Sequence, residues 1–312
     1  MKTKTQTKII QLDDLASLQV TGNDATKFLH AQFTNDLENL PVDSWQYSSY
    51  CTPKGRLLAF MTIARLDNNE YLLILPKKVS ESILSRLRMF VMRDDVSISS
   101  QQEETVITGL VGPANILTDA GLDVAGDAGK LSNKNSHCIL TLDAETNRYL
   151  CISEKGSLDT SSFATADSAY WTLLDIQAGI PAILSETQEA YVPQMVNLDL
   201  IGAVNFKKGC YPGQEIVARV HYLGKIKQRM YVLTSESKEM AKPADKIFVN
   251  GMPDKPAGTI VQAAKNESAQ LLQAVLQTKA VDENADFRLA AEDGEKIVLA
   301  AQPYSVADEK EK

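Results

Sequence analysis

Hydrophobic residues in the first hundred positions change between strand-like and helix-like spacing. Residues 9–12 and 18–21 have the short apolar pattern of strands, and the polar pair at residues 23 and 24 can cap a helix. The apolar face of that helix is formed by Ala25, Phe28, Leu29 and Phe33. The opening of the chain therefore predicts strands followed by an amphipathic helix.

A predicted hairpin and a second helix complete this first region. The turn at residues 53–55 precedes an apolar run at 57–64, and the turn at 67–69 separates it from a second run at 71–75. Val79, Ile83 and Leu87 then recur at helical spacing, and residues 96–98 read as a strand. We predict an N-terminal α+β domain over residues 1–104.

The middle of the chain has weaker patterns. Residues 106–111 predict a strand, but the following residues are rich in Gly, Ala, Asp, Asn and Ser, which favours long loops. A short helix is predicted at residues 170–176, ended by Gly179 and Pro181. We predict a second α+β domain over residues 105–227.

The last part of the chain changes to β-strand patterns. Six short apolar runs are separated by turn residues, and they lie at residues 230–233, 247–249, 258–263, 271–276, 287–289 and 297–299. Strands at this spacing are typical of a small barrel. We therefore predict a C-terminal β-barrel over residues 228–306 and a disordered tail at 307–312.

Composition narrows the classes of function. The 312 residues carry a net charge of −8, which argues against a protein that coats nucleic acid over its whole surface. The four cysteines lie far apart without a C-x-x-C pair or histidines at ligand spacing, so no metal motif is visible. The run at residues 57–64 is too short to span a bilayer and the N-terminus lacks a secretory pattern, so we expect a cytoplasmic protein with no membrane partner.

One segment combines the residues that carry chemistry. Gly209 and Gly213 flank Cys210, and residues 214 and 215 can begin a helix whose first amides are free. A thiol beside Lys207 and Lys208, near a helix start, is expected to have a lowered pKa and to be nucleophilic. Residues 205–229 hold six basic residues and one acidic residue, a local charge of +5, which predicts a bound anion nearby.

The string Lys-Gly-Cys-Tyr-x-Gly-Gln-Glu, at residues 208–215, resembles the sequence motif of the YgfZ family. Further resemblance lies at residues 32–37, 53–56, 88–94, 179–181 and 192–194. That family binds folate, is linked to iron–sulphur enzyme maintenance and tRNA modification, and is similar to the aminomethyltransferase T-protein. The resemblance implies an α+β fold with three domains in a ring around a tetrahydrofolate site.

The resemblance also assigns candidate site residues. Cys210 is the expected reactive thiol, and the expected motif residues around it are Lys208, Gly209, Tyr211, Gly213, Gln214, Glu215 and Arg219. Two family tryptophans imply a stacking surface for folate: Trp171 keeps one, whereas Leu15 replaces the other and offers only apolar contact. The positions that match the acidic residue of T-protein are Leu58 and Ala59, which cannot orient a folate amine.

These residues favour a tetrahydrofolate-binding accessory protein whose partners are reduced folate and iron–sulphur enzymes, with tRNA involved indirectly. A folate-dependent one-carbon transferase is an alternative, so whether the protein is itself an enzyme stays open. A second alternative is a tRNA-binding module that uses the basic segment from Lys207 to Arg229, although few aromatic residues accompany those lysines.

Overall fold

The structure, a computed structural model, describes residues 7–251, 255–265 and 269–306. The chain forms two compact units: the first runs to Ser48 and resumes over Met61–Ser168, and the second comprises Ser49–Phe60 and the residues from Ala169 onward. The predicted domain boundaries at residues 104 and 227 stay predictions, and the predicted tail at 307–312 lies outside the described residues.

The first unit alternates strands and helices from its start. Its elements are β1 (Lys8–Gln11), β2 (Leu15–Thr21), α1 (Ala25–Gln32), β3 (Ser44–Cys51), β4 (Leu57–Asp67), β5 (Glu70–Pro76), α2 (Lys77–Val91), β6 (Ser97–Ser100), β7 (Thr105–Val111), α3 (Ala114–Asp119), β8 (Leu131–Lys134), β9 (His137–Asp143), β10 (Arg148–Glu154) and β11 (Ala164–Ala166). The last residues of β3, from Ser49 onward, and the first residues of β4, up to Phe60, belong to the second unit.

A five-stranded sheet has the order β3-β4-β5-β2-β6. The central strands are apolar on both faces, and Leu18 lies opposite Leu73 in the antiparallel β2–β5 ladder. Helix α1 begins where predicted, but its N-cap Asp24 makes no capping bond and instead accepts a 2.8 Å hydrogen bond from the Asp95 amide. The carboxylate therefore connects the start of α1 to the segment before β6.

A six-stranded sheet has the order β11-β1-β7-β10-β9-β8. Strands β1 and β11 are parallel, and the other neighbours are antiparallel. The structure thus has four strands between residues 105 and 154, where the sequence predicted one strand and long loops. The apolar residues Ile139, Leu140 and Leu150, which the structure shows to be buried, were the sequence signal for β9 and β10 that the prediction missed.

The second unit carries the barrel. After α4 (Ser168–Ala178), two short 3-10 helices (Ser185–Thr187 and Pro193–Val196) and α5 (Gln214–Tyr222) come β12 (Gln228–Ser235), β13 (Lys246–Val249), β14 (Gly258–Lys265), β15 (Gln270–Gln277), α6 (Thr278–Asp282), β16 (Phe287–Leu289) and β17 (Lys296–Leu299). The strands close in the order β12-β15-β14-β13-β16-β17, which confirms the predicted α+β class and C-terminal barrel. Closure pairs the strand edges and buries Leu233, Ile247 and Ile260 inside.

A buried ion pair fixes the first barrel strand to the segment before α5. The Arg229 guanidinium donates to both carboxylate oxygens of Asp199 at 2.7 and 3.0 Å and to the Gln194 carbonyl at 2.9 Å. Beside it, Asn197 adopts a left-handed conformation with φ of 60° and donates to the Met230 carbonyl at 2.8 Å. The side chains of Arg229 and Asp199 are only 4% and 9% exposed, so each charge depends on the other.

We expect Asp199→Ala to lower the free energy of unfolding by about 3–5 kcal/mol, because it leaves the Arg229 charge buried without its carboxylate. Urea unfolding followed by circular dichroism measures the loss. The matched control is Asp286→Ala, which removes the partner of the more exposed Arg288 and should cost about 0–1 kcal/mol. Equal losses in the two variants would contradict this account of Arg229.

Candidate functional site

Two turns of the second unit meet backbone to backbone under the Cys210 loop, which we define as residues 207–214. A Cβ atom added at Gly213 would lie 2.7 Å from the Gly55 Cα atom and closer still to the Thr52 carbonyl oxygen. A Cβ atom added at Gly55 would lie 3.0 Å from Ile216 Cβ. Both glycines have positive φ, 84° at Gly213 and 70° at Gly55, so both geometry and space require glycine.

The turn that receives Gly213 is closed by its own hydrogen bonds. The Gly55 amide donates to the Thr52 carbonyl at 2.8 Å, and the Thr52 amide donates to the Arg56 carbonyl at 2.8 Å. Arg56 also donates through its guanidinium to the Ala190 carbonyl at 2.8 Å. A short, rigid turn therefore forms the floor of the Cys210 loop.

The loop itself is fastened by Gln214. Its side-chain amide lies 3.3 Å from the Lys208 carbonyl and 3.4 Å from the Gly209 carbonyl, while its backbone amide donates to the Tyr211 carbonyl at 3.2 Å. Lys208 is nearly buried and places its ammonium group 5.1 Å from the centre of the Tyr211 ring. Lys208 thus lies over an aromatic face and not in open solvent.

Tyr211 is a buried residue of the Cys210 loop. Burial raises the pKa of its phenol, and the neighbouring Cys51 adds to the rise. The phenol therefore stays neutral at physiological pH, and Tyr211 serves as a packed ring and not as a charged group.

Cys210 differs from the other cysteines in its exposure. It is exposed, whereas Cys51, Cys138 and Cys151 are buried. Burial raises the pKa of each buried thiol to about 12, so these three remain protonated at physiological pH. Of the four thiols, Cys210 is the one that a partner can reach.

Helix α5 continues directly from the loop. Glu215 lies exposed in its first turn and Arg219 lies exposed in its last turn, each at the end that favours its charge. Val217 is buried, and its carbonyl accepts a 2.7 Å hydrogen bond from the buried Gln194 amide. The backbone carbonyl of Gln194 also accepts the hydrogen bond from Arg229. Gln194 therefore connects α5 to Arg229.

The structure changes the charge count of the basic segment. Arg229 is buried against Asp199, and Lys208 is nearly buried, so neither adds an open positive charge to the surface. The exposed cations of residues 205–229 are Lys207, Arg219, Lys225 and Lys227. The exposed residues of this segment therefore carry an excess of positive charge, as predicted, but the excess is smaller than the +5 counted from the sequence.

The two residues expected to contact folate lie in different units. Trp171 is on α4 in the second unit and is 6% exposed. Leu15 begins β2 in the first unit and lines a cleft of about 200 Å³. Two exposed lysines, Lys77 and Lys155, lie on the walls of the same cleft.

The positions that match the acidic residue of T-protein lie at the start of β4. Leu58 and Ala59 are both buried, and the Leu58 carbonyl accepts a 2.8 Å hydrogen bond from the Gln188 side chain. In the part of the chain that the structure describes, no three His, Cys, Asp or Glu side chains are grouped so that they could hold a metal ion. No helix within residues 7–251, 255–265 and 269–306 is long and apolar enough to cross a membrane.

The sequence family described as the GCVT N-terminal domain matches residues 1–124. The tRNA-modifying protein YgfZ of Escherichia fergusonii is 25% identical over 309 residues, which cover 96% of this chain and 94% of that protein. The YgfZ protein of Escherichia coli O157:H7 matches with the same identity and coverage. The chain resembles YgfZ over almost its whole length.

The fold comparison agrees with that resemblance. The glycine cleavage system aminomethyltransferase T of Bartonella henselae superposes with a TM-score of 0.72 at 13% identity, covering 97% of this chain and 88% of the other. At this identity the match concerns the fold alone, and it confirms the expected T-protein-like fold. The YgfZ-like motif at residues 208–215 thus lies on an aminomethyltransferase-like fold.

Sequence reasoning missed two residues that position this YgfZ-like loop. Thr52 supplies the carbonyl oxygen that Gly213 approaches, and Gln194 holds the carbonyl of Val217. Gln194 follows Pro193 in a segment that already resembled the family, but its hydrogen bond to the Val217 carbonyl is visible only in the folded structure. Thr52 acts through its backbone, which no residue pattern specifies.

We expect Gly213→Ala to lower the free energy of unfolding by about 3 kcal/mol, from a left-handed backbone and from overlap with the Thr52–Gly55 turn. Thermal and urea unfolding measure the loss. The matched control is Gly202→Ala, since Gly202 has a φ of 70° but no atom within 4 Å of an added Cβ. That control should cost about 1 kcal/mol, and equal costs would show that close packing is not what requires Gly213.

Proposed function

We propose that this protein binds tetrahydrofolate and supports the assembly or repair of iron–sulphur enzymes, including enzymes that modify tRNA. The similarity to proteins named tRNA-modifying protein YgfZ and the aminomethyltransferase-like fold support the proposal. The observation that carries it is the exposed Cys210 on a loop that is fixed from below by the Gly55–Gly213 contact.

The geometry around Cys210 suits action on another protein. Of the side chains in its loop, Tyr211 and Lys208 are packed and Cys210 is exposed, so the thiol is presented on a rigid support. Glu215, the acidic residue of this segment, lies exposed on α5. A thiol offered to a partner fits these features better than the centre of a self-contained active site.

The residues that would hold folate are chemically suited to it. Trp171 has a large aromatic ring suited to stacking on a pterin, and Leu15, in the other unit, has an apolar side chain. Bound folate would supply a one-carbon carrier, and Trp171 would orient its pterin ring.

A one-carbon transferase has less support. Such chemistry needs an acid or base placed at the folate amine, and the matching positions hold Leu58 and Ala59, which have no ionisable group.

The folate part of the proposal is tested by fluorescence. The protein has two tryptophans, and tetrahydrofolate should quench Trp171 while Trp45, whose indole donates to the Thr141 carbonyl at 3.0 Å, reports little. We expect saturable quenching in the wild type and in Trp45→Phe, and a loss of most of the quenching in Trp171→Phe. Absence of saturable binding by calorimetry in the wild type would overturn this part of the proposal.

The thiol part is tested in a deletion strain by measuring the thiolated nucleosides of its tRNA. We expect Cys210→Ala to fail to restore them, because the reachable thiol is gone, while its urea midpoint and folate affinity stay close to those of the wild type. Cys138→Ala is the matched control and should complement, since that thiol is buried. Full complementation by Cys210→Ala would remove Cys210 from the function.

A further inference from the structure

An aromatic cluster lies at the end of α5, beyond the Cys210 loop. The ring of His221 is stacked on Phe206, with centroids 3.7 Å apart and an angle of 10° between planes. Tyr222 meets this stack edge-on, 4.7 Å from His221 and 6.3 Å from Phe206. Tyr222 is nevertheless 56% exposed, so part of its ring remains open to solvent.

The end of the helix fixes this arrangement. The amides of Leu223 and Gly224 both donate to the Arg219 carbonyl, at 2.9 and 3.0 Å, which ends α5 directly after Tyr222. A Cβ atom added at Gly224 would lie 2.9 Å from the Val220 carbonyl oxygen, so the chain turns tightly there. Leu223 is left 83% exposed. Two large side chains in succession are therefore presented outward by a defined backbone.

Exposed cations lie next to the cluster along the chain. Lys207 directly follows Phe206, and Arg219 lies three positions before Tyr222, on the same face of α5. Lys227 follows the helix end and is exposed. The acidic residue of this segment, Glu215, lies at the opposite end of α5. The charge is local, because the whole chain carries −8.

From this juxtaposition we infer that the α5 surface, formed by Phe206, Lys207, Arg219, His221, Tyr222 and Lys227, binds single-stranded RNA. Single-stranded nucleic acid is bound by aromatic rings on which bases stack, combined with cations that follow the phosphates. In a duplex the bases are already stacked on one another and do not reach such a ring. The choice of RNA as the nucleic acid rests on the proposed function.

The α5 surface also differs from a binding site for a compact anion. A phosphate or carboxylate alone would need convergent donors, whereas here an exposed ring is accompanied by exposed cations spaced along the chain. Each cation that contacts a phosphate should add about −0.7 to the slope of log affinity against log salt. Three contacts predict a slope of about −2.

The experiment measures anisotropy of a labelled, unstructured RNA of about 12 nucleotides with the full chain. We expect Tyr222→Ala to weaken binding about tenfold and Tyr222→Phe, which keeps the ring, to change it less than about twofold. The double variant Lys207→Gln, Lys227→Gln should reduce the salt slope by about 1.4. Lys265→Gln removes an exposed lysine of β14 and should change neither quantity.

Equal RNA affinity in wild type and Tyr222→Ala, or affinity independent of salt, would overturn the inference. So would equal binding of single-stranded DNA, or binding of an acidic peptide in place of RNA, which would assign the surface to DNA or to a protein partner. Tetrahydrofolate titration of Tyr222→Ala separates the two proposals, since folate affinity should be unchanged. Absence of RNA binding by the wild-type protein, with its folate binding intact, would refute only the RNA surface.

Discussion

The backbones of two turns touch at Gly55 and Gly213, and the Cys210 loop depends on that contact. No side chain separates them, because a Cβ atom on either residue would overlap the other turn or helix α5. The hydrogen bonds of Thr52 and Arg56 set the shape of one turn, and Gln214 sets the shape of the other. The position of Cys210 is therefore determined by backbone packing, which rotamer changes nearby cannot relax.

Helix α5 is supported from its other side by buried polar groups. Gln194 receives Arg229 on its backbone carbonyl and donates from its side chain to Val217, while Asp199 neutralises the guanidinium. The first barrel strand and the helix that follows the Cys210 loop are thus connected through Gln194. Buried charges are costly alone, so this connection tolerates little rearrangement.

Much of this architecture was predictable from the sequence, for reasons that differ by region. The barrel strands were predicted because turn residues such as Asn250 separate short apolar runs, and the start of α5 was predicted because Gln214 and Glu215 can begin a helix. Strands β8–β10 were missed because polar residues dilute their short apolar runs. The family motif pointed to Cys210, but the burial of Arg229 and the stacking of Phe206 on His221 depend on contacts between distant residues, which spacing does not encode.

The contact between Gly55 and Gly213 joins segments far apart along the chain. Bringing the two turns together costs loop-closure entropy, because a long stretch of polypeptide separates them. On the ribosome, the Thr52 turn emerges long before its counterpart has been synthesised. The Cys210 thiol therefore reaches its final setting only in a chain whose second unit has been made, so partly synthesised molecules do not present it.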